Sequence, residues 1–292
     1  MSKISALLER LADAVEHAEV LDRPAEIGQQ LTGRLAAGPT KDVLSGTTLG
    51  HPLHPALVAV PIGAFAGAAV LDLTRGDATA ARRLIGFGLL SAVPTAAAGV
   101  SDWGDTRGSE RRVGVAHALL NVVGLGLYGA SWLARRDDGG GKALSMAGLG
   151  LLGVSGWLGG HLAYAQGVGV DTTAFQRPPV NWTDACAEDE LVEGVPQAVT
   201  VEDTPVLLLS RHGRLTAIGN RCTHRGAPLH EGTVVGDCIE CPWHGSLFDL
   251  ATGAVERGPA TRPQPQLQTR IEGGRVQVRR EEIRGLRLNP TS

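Results

Sequence analysis

Four stretches of this 292-residue chain hold no Asp, Glu, Lys or Arg: Pro55–Leu71, Leu84–Ser101, Val113–Ala134 and Ala143–Val170. A helix rises about 1.5 Å per residue, so about 20 apolar residues cross the hydrocarbon of a bilayer. The runs predict four transmembrane helices, near 55–73, 84–102, 113–134 and 143–165. Gly and Ala dominate them, and small residues let helices approach closely in lipid. Trp103, Trp132 and Tyr164 fall at the predicted ends, where an interfacial aromatic belt belongs. A soluble bundle is the competing reading. It would need far more amphipathic protein to cover four such helices in succession.

The connectors are short and charged. The first and third hold Arg75, Arg82, Arg83, Arg135, Arg136 and Lys142, and the second holds Arg107, Arg111 and Arg112. The excess of positive charge would place the first and third loops inside. Adding the flanking Lys41 and Arg177 removes most of the difference, so charge counting does not fix the topology. Four spans put both termini on one side. Asp72 falls at the opposite face, where Arg75 and Arg82 are its expected partners.

Residues 1–50 form a lead-in. Ile4, Leu7, Leu8, Leu11 and Val15 recur at helical spacing among charges, which predicts an amphipathic helix on the bundle or in the membrane interface. The charges exclude a signal peptide here, and no twin-Arg signal is present. Overall net charge is −3, which argues against a nucleic-acid partner. Residues 167–180 read as a linker ending at Pro178-Pro179. Beyond it the pattern becomes β, with strand candidates at Val206–Leu209, Leu215–Ile218, Cys238–Cys241 and Arg275–Val278. Residues 282–292 read as a tail.

Four cysteines (186, 222, 238 and 241) are too few for a disulfide scaffold, and three lie within twenty residues. Residues 222–250 read CTHRGAPLHEGTVVGDCIECPWHGSLFDL. Cys222-x-His224 and Cys241-x-x-His244 stand sixteen residues apart. Two thiolates and two imidazoles on two loops suit a binuclear iron–sulfur cluster, with sulfur on one iron and imidazole on the other. A Cys₂His₂ zinc site is the alternative, although its usual spacing pairs Cys with Cys and His with His.

This segment resembles the Rieske family, in its ferredoxin-like branch, over about 180–280. The resemblance implies an all-β domain at 181–281 with one [2Fe–2S] cluster, Cys222 and Cys241 on one iron, His224 and His244 on the exposed one. Respiratory-type members carry two further bridging cysteines; Ala227 and Trp243 stand there. They also place a Ser and a Tyr beside the cluster sulfurs. Ser246 is retained, but Phe248 replaces the Tyr. Gly258-Pro259 matches the family's cover loop, giving Pro259 a supporting role. Cys186 and Cys238 are expected as small core residues and His230 as a surface or neighbouring group. A second iron site of two His and a carboxylate, which an oxygenase catalytic subunit needs, is not expected in the remaining length.

Polar residues in the spans are few: His51, His54, Asp102, His117, Asn121 and His161, all toward the face bearing the termini. Buried polar groups in lipid default to functional hypotheses. Hydrogen bonds that hold the bundle, a haem b on His117 and His161, and a quinone or metal site are the readings. Residues 50–170 also resemble an uncharacterised bacterial four-helix membrane family that opens with His-Pro-x-His-Pro.

The expectation is a multidomain chain, an all-α four-transmembrane-helix bundle plus an all-β iron–sulfur domain. It would act as a membrane-anchored electron-transfer protein with a redox protein or quinone as partner, in contact with membrane lipid. A redox sensor whose cluster state alters the bundle is the alternative. The bacterial cell membrane is the expected location. The cluster domain is expected in the cytoplasm, because no twin-Arg signal would export it folded and the reducing cytosol suits a site without bridging cysteines.

Overall fold

The computed structural model describes residues 3–32, 37–136 and 140–280; the tail at 282–292 lies outside them. The chain divides into two units, Met1–Val170 and Asp171–Ser292.

The first unit is helical. Three helices precede the spans: α1 (Lys3–Glu16), α2 (Asp22–Thr32) and α3 (Pro39–Ser45). Four long apolar ones follow: α4 (Leu53–Leu73), α5 (Ala78–Trp103), α6 (Ser109–Ala134) and α7 (Lys142–Tyr164). All four are long and apolar enough to cross a membrane. α4 packs chiefly on α5, and α6 on α7. The Phe65 and Tyr128 rings stack with centroids 3.9 Å apart and sit in the core with Ala68, Ala81 and Ile85. Glycines set the helix spacing: a Cβ on Gly88 would lie 2.5 Å from the Phe65 ring. This is the close approach that small residues permit in lipid.

α5 and α6 begin several residues before the uncharged runs do, because charges at their starts find partners. Asp77 Oδ1 caps α5 by accepting the Thr79 and Ala80 N–H groups. Arg82 donates to the Trp132 carbonyl (3.1 Å) and lies over its ring (4.4 Å). Arg112 in the first turn of α6 grips Asp22 through two bonds of 2.6 and 2.7 Å. That hydrogen bond holds the Asp22 carboxyl below the usual carboxylate range. The lead-in therefore holds two helices beyond the amphipathic one.

The expected partners of Asp72 are corrected. It pairs with Arg135 on α6, Nη1 to Oδ1 at 2.8 Å and Nη2 to Oδ2 at 2.5 Å, while Ser131 and Ser145 bond the same guanidinium. The side chains are 0% and 4% exposed. Helix packing brings the distant Arg135 to Asp72.

The second unit holds two antiparallel sheets. One has the order β1-β10-β9-β4-β3-β2, with β1 Thr183–Ala187, β2 Gln197–Val201, β3 Thr204–Arg211, β4 Arg214–Gly219, β9 Gln266–Glu272 and β10 Arg275–Arg280. The other runs β5 (Thr233–Val235), β6 (Cys238–Glu240), β7 (Leu247–Asp249) and β8 (Val255–Arg257). The four strand candidates read from the sequence fall on β3, β4, β6 and β10. Leu207, Leu209, Ile218, Ile239 and Phe248 pack between the sheets around Cys222 and Cys241.

Candidate metal centre

Two six-residue loops carry the four candidate ligands, and their backbones bond in the same pattern. In the first, which follows β4, the Cys222 N–H donates to the Ala227 carbonyl (2.9 Å) and the Gly226 N–H to the Cys222 carbonyl (2.8 Å). In the second, between β6 and β7, the Cys241 N–H donates to Ser246 (2.8 Å) and the Gly245 N–H to Cys241 (3.1 Å). The fifth residue of each loop is a Gly with φ of +78° and +72°, the left-handed region where a Cβ is strained. Each loop thus begins on a cysteine and turns back on itself with its histidine near the tip.

Cys222 and Cys241 are 1% and 3% exposed. The Cys222 thiol is pushed well above its ordinary range, first by its hydrogen bond with the Cys241 thiol and then by burial. His224 and His244 are half-buried, with ring centroids 5.1 Å apart and planes at 82°. Among the described residues no group of three or more His, Cys, Asp or Glu is placed to hold a single ion. Two protein ligands on each of two irons is the arrangement these side chains fit, with buried sulfur inside and imidazole outside.

A third segment closes over the loops. Ser246, fully buried, accepts the Ala260 N–H at its hydroxyl oxygen (2.9 Å), and the Thr223 hydroxyl donates to the Arg262 carbonyl (2.8 Å). Pro259 is buried in that segment. Phe248 sits fully buried in the core, so no hydroxyl is supplied there. A strap from the stretch read as linker adds a contact that sequence reasoning missed. The Thr172 N–H donates to the Thr223 carbonyl (3.2 Å), and its hydroxyl donates to the Cys222 carbonyl (2.7 Å).

The spare cysteines occupy β positions: Cys186 is buried in β1 and Cys238 half-buried in β6. His230 lies against the Asn220 amide.

Residues 181–270 match the family described as "Rieske [2Fe-2S] domain". The ferredoxin component of a naphthalene 1,2-dioxygenase system from Pseudomonas aeruginosa is 38% identical over 97 residues, spanning 33% of this chain and 93% of that protein. The chain belongs to the Rieske [2Fe-2S] family. The Rieske domain is also 35% identical over 94 residues to human apoptosis-inducing factor 3, where the match spans 16% of that protein. Among solved structures, the Sphingomonas yanoikuyae B1 ferredoxin is 33% identical and matches 35% of this chain and all of that one, with a TM-score of 0.33. Residues 50–172 match a family described as "Predicted membrane protein (DUF2231)". A Rieske domain binds a [2Fe–2S] cluster, so the cofactor expected from the motif holds.

Several of the bundle's polar residues bond across to neighbouring helices. His54 Nδ1 donates to the Thr95 carbonyl (2.9 Å). His117 Nδ1 donates to the Ser155 carbonyl (2.7 Å), and its Nε2 accepts from Asn121 (3.0 Å). His161 Nε2 lies 2.7 Å from Glu16 Oε1 on α1. Beside Asp102, the Ser101 carbonyl accepts Lys41 Nζ at 2.6 Å, and Lys41 pairs with Asp105 at 2.8 Å. His51 is exposed. Among the described residues no hydrogen bond joins two of His51, His54, Asp102, His117 and His161. Both ring nitrogens of His117 are engaged, by the Ser155 carbonyl and the Asn121 amide. These hydrogen bonds tie helices together, α4 to α5 through His54, α6 to α7 through His117 and α7 to α1 through His161.

Proposed function

We propose that Cys222 and Cys241 bind the inner iron of a [2Fe–2S] cluster, that His224 and His244 bind the outer one, and that the chain is a membrane-anchored one-electron carrier. The observation that carries this reading is the matched pair of loops, each presenting one buried cysteine and one half-buried histidine. When bound, the cluster supplies a one-electron couple. The chain does the rest. The buried cysteines and the 258–262 segment keep water from the sulfur side. The half-buried imidazoles form the edge through which a partner is reached. Ser246 and Thr223 fix the cover segment. Four apolar helices hold the domain at a bilayer, and the similarity to dioxygenase ferredoxin components supports a protein as redox partner.

Phe248 removes one hydrogen-bond donor from the cluster's surroundings, and fewer donors leave sulfur charge less compensated. The expected potential lies in the lower part of the Rieske span of roughly −150 to +300 mV. Spectroelectrochemical titration of detergent-purified protein, followed by EPR, tests cofactor and potential together. A colourless protein, or a midpoint near the upper limit, would sink this reading.

The Rieske domain is placed in the cytoplasm. The bridging cysteines of respiratory-type members are replaced by Ala227 and Trp243, and the reducing cytosol needs no such bridge. In intact cells the domain is expected to resist added protease. Its cleavage from outside would reverse the assignment.

A further inference from the structure

Acidic residues outnumber basic ones across 181–280, yet the segments surrounding the ligands depart from that balance. Residues 221–230, 241–248 and 258–265 carry Arg221, Arg225 and Arg262 and no Asp or Glu. Arg221 is exposed, and its guanidinium lies over the first loop: a Cβ on Gly226 would meet its Nε at 3.2 Å and its Nη2 at 3.4 Å. Arg262 is exposed, and its carbonyl accepts the hydroxyl of Thr223 in that loop. Trp243 is 40% exposed, with its ring centroid 6.4 Å from that of His244. The acid nearest in the strap, Asp171, has its Oδ1 taken up by the N–H and hydroxyl of Thr173 at 2.8 and 2.7 Å.

We propose that this basic rim, with exposed Trp243 beside the histidine ligands, is the docking face for a redox protein whose own redox centre is ringed by carboxylates. The inference rests on the cluster assignment above. Arginine and tryptophan are the side chains that most often anchor protein interfaces. A patch of one charge on a domain of the opposite net charge orients an approaching partner and selects its sign. The step served is a single-electron transfer: the partner gains the electron that the Rieske domain loses, and no bond is made or broken. An anionic lipid surface offers the same charge but no electron acceptor at the histidine edge.

The test uses the full chain in neutral detergent and two protein probes, cytochrome b5 with its acidic haem face and cytochrome c with its basic one. Binding is read by calorimetry at about 20 and about 300 mM salt, concentrations that bracket weak and strong screening. Cytochrome b5 is expected to bind at low salt and about tenfold more weakly at high salt, while cytochrome c fails to bind. The double variant Arg221→Glu, Arg262→Glu exchanges that preference, whereas Arg221→Lys, Arg262→Lys keeps it. Trp243→Ala weakens cytochrome b5 binding about tenfold with the salt dependence unchanged. Preference for cytochrome c, or binding indifferent to salt, overturns the proposal. Loss of cytochrome b5 binding in phosphatidylglycerol vesicles but not in phosphatidylcholine vesicles would assign the rim to lipid headgroups and also overturn it. Visible absorbance of the same samples reports the cluster separately. Colourless protein overturns the cluster assignment and, with it, the electron-transfer role of the rim; coloured protein that does not bind cytochrome b5 overturns the docking face alone.

Discussion

Cys241→Ser is expected to strip the protein of its visible absorbance and EPR signal, with bound iron falling from about two atoms per chain toward zero. Cys241 is buried in the core between the sheets and begins the second loop. A serine there replaces a soft thiolate with a poor iron ligand, and no other cysteine stands on that loop. Cys238→Ser, three residues earlier, is the control. Cys238 points from β6, opposite Asp249 and Val235, and its replacement should leave iron content and spectrum intact. A coloured Cys241→Ser protein, or a colourless Cys238→Ser one, would refute the ligand set. Because the apoprotein retains two buried thiols in mutual contact, iron loading should also raise the thermal midpoint of the second unit.

Asp72→Ala is expected to destabilise the bundle by about 3–5 kcal/mol, because it leaves Arg135 buried without its counter-charge. The guanidinium is fully buried, and Ser131 and Ser145 offer only neutral oxygens. Thermal unfolding in detergent should register a drop of about 10 °C. The double variant Asp72→Ala, Arg135→Met should recover most of that loss, since it removes both charges and fills the space with apolar side chain. If the double variant were as unstable as the single one, the cost would lie in packing and not in the stranded charge.

What was legible in the sequence follows from the reach of each signal. The four spans depend on composition summed over about twenty residues, so they survive errors of detail. Their starts at Ala78 and Ser109 were hidden because Arg82 and Arg112 look like loop charges until Trp132 and Asp22 come near. Asp72 was given the wrong partners for the same reason: Arg135 is 63 residues away along the chain. The candidate cluster ligands stand out because such chemistry demands unusual residues at fixed spacing. Strands β5 to β8 have three residues each, too few for alternation to register, and of these only β6, next to the cysteine motif, shows in the sequence. Thr172 and Thr223 carried no signal at all, since a loop threonine becomes informative only when a particular carbonyl lies opposite it. The polar residues of the bundle were visible as exceptions to an apolar background, yet their roles depended on which helix faced which.

The strap at Thr172 decides where the second unit can be cut. The family match begins at residue 181, and a fragment started there would look complete by sequence. It would lack the hydroxyl and N–H that rest on Cys222 and Thr223. A truncation beginning at Asp171 keeps both, together with the Asp171 cap on Thr173 that shapes the turn. For anyone preparing a soluble version of this domain, residues 171–180, within the stretch that reads as spacer, are part of the cluster's housing.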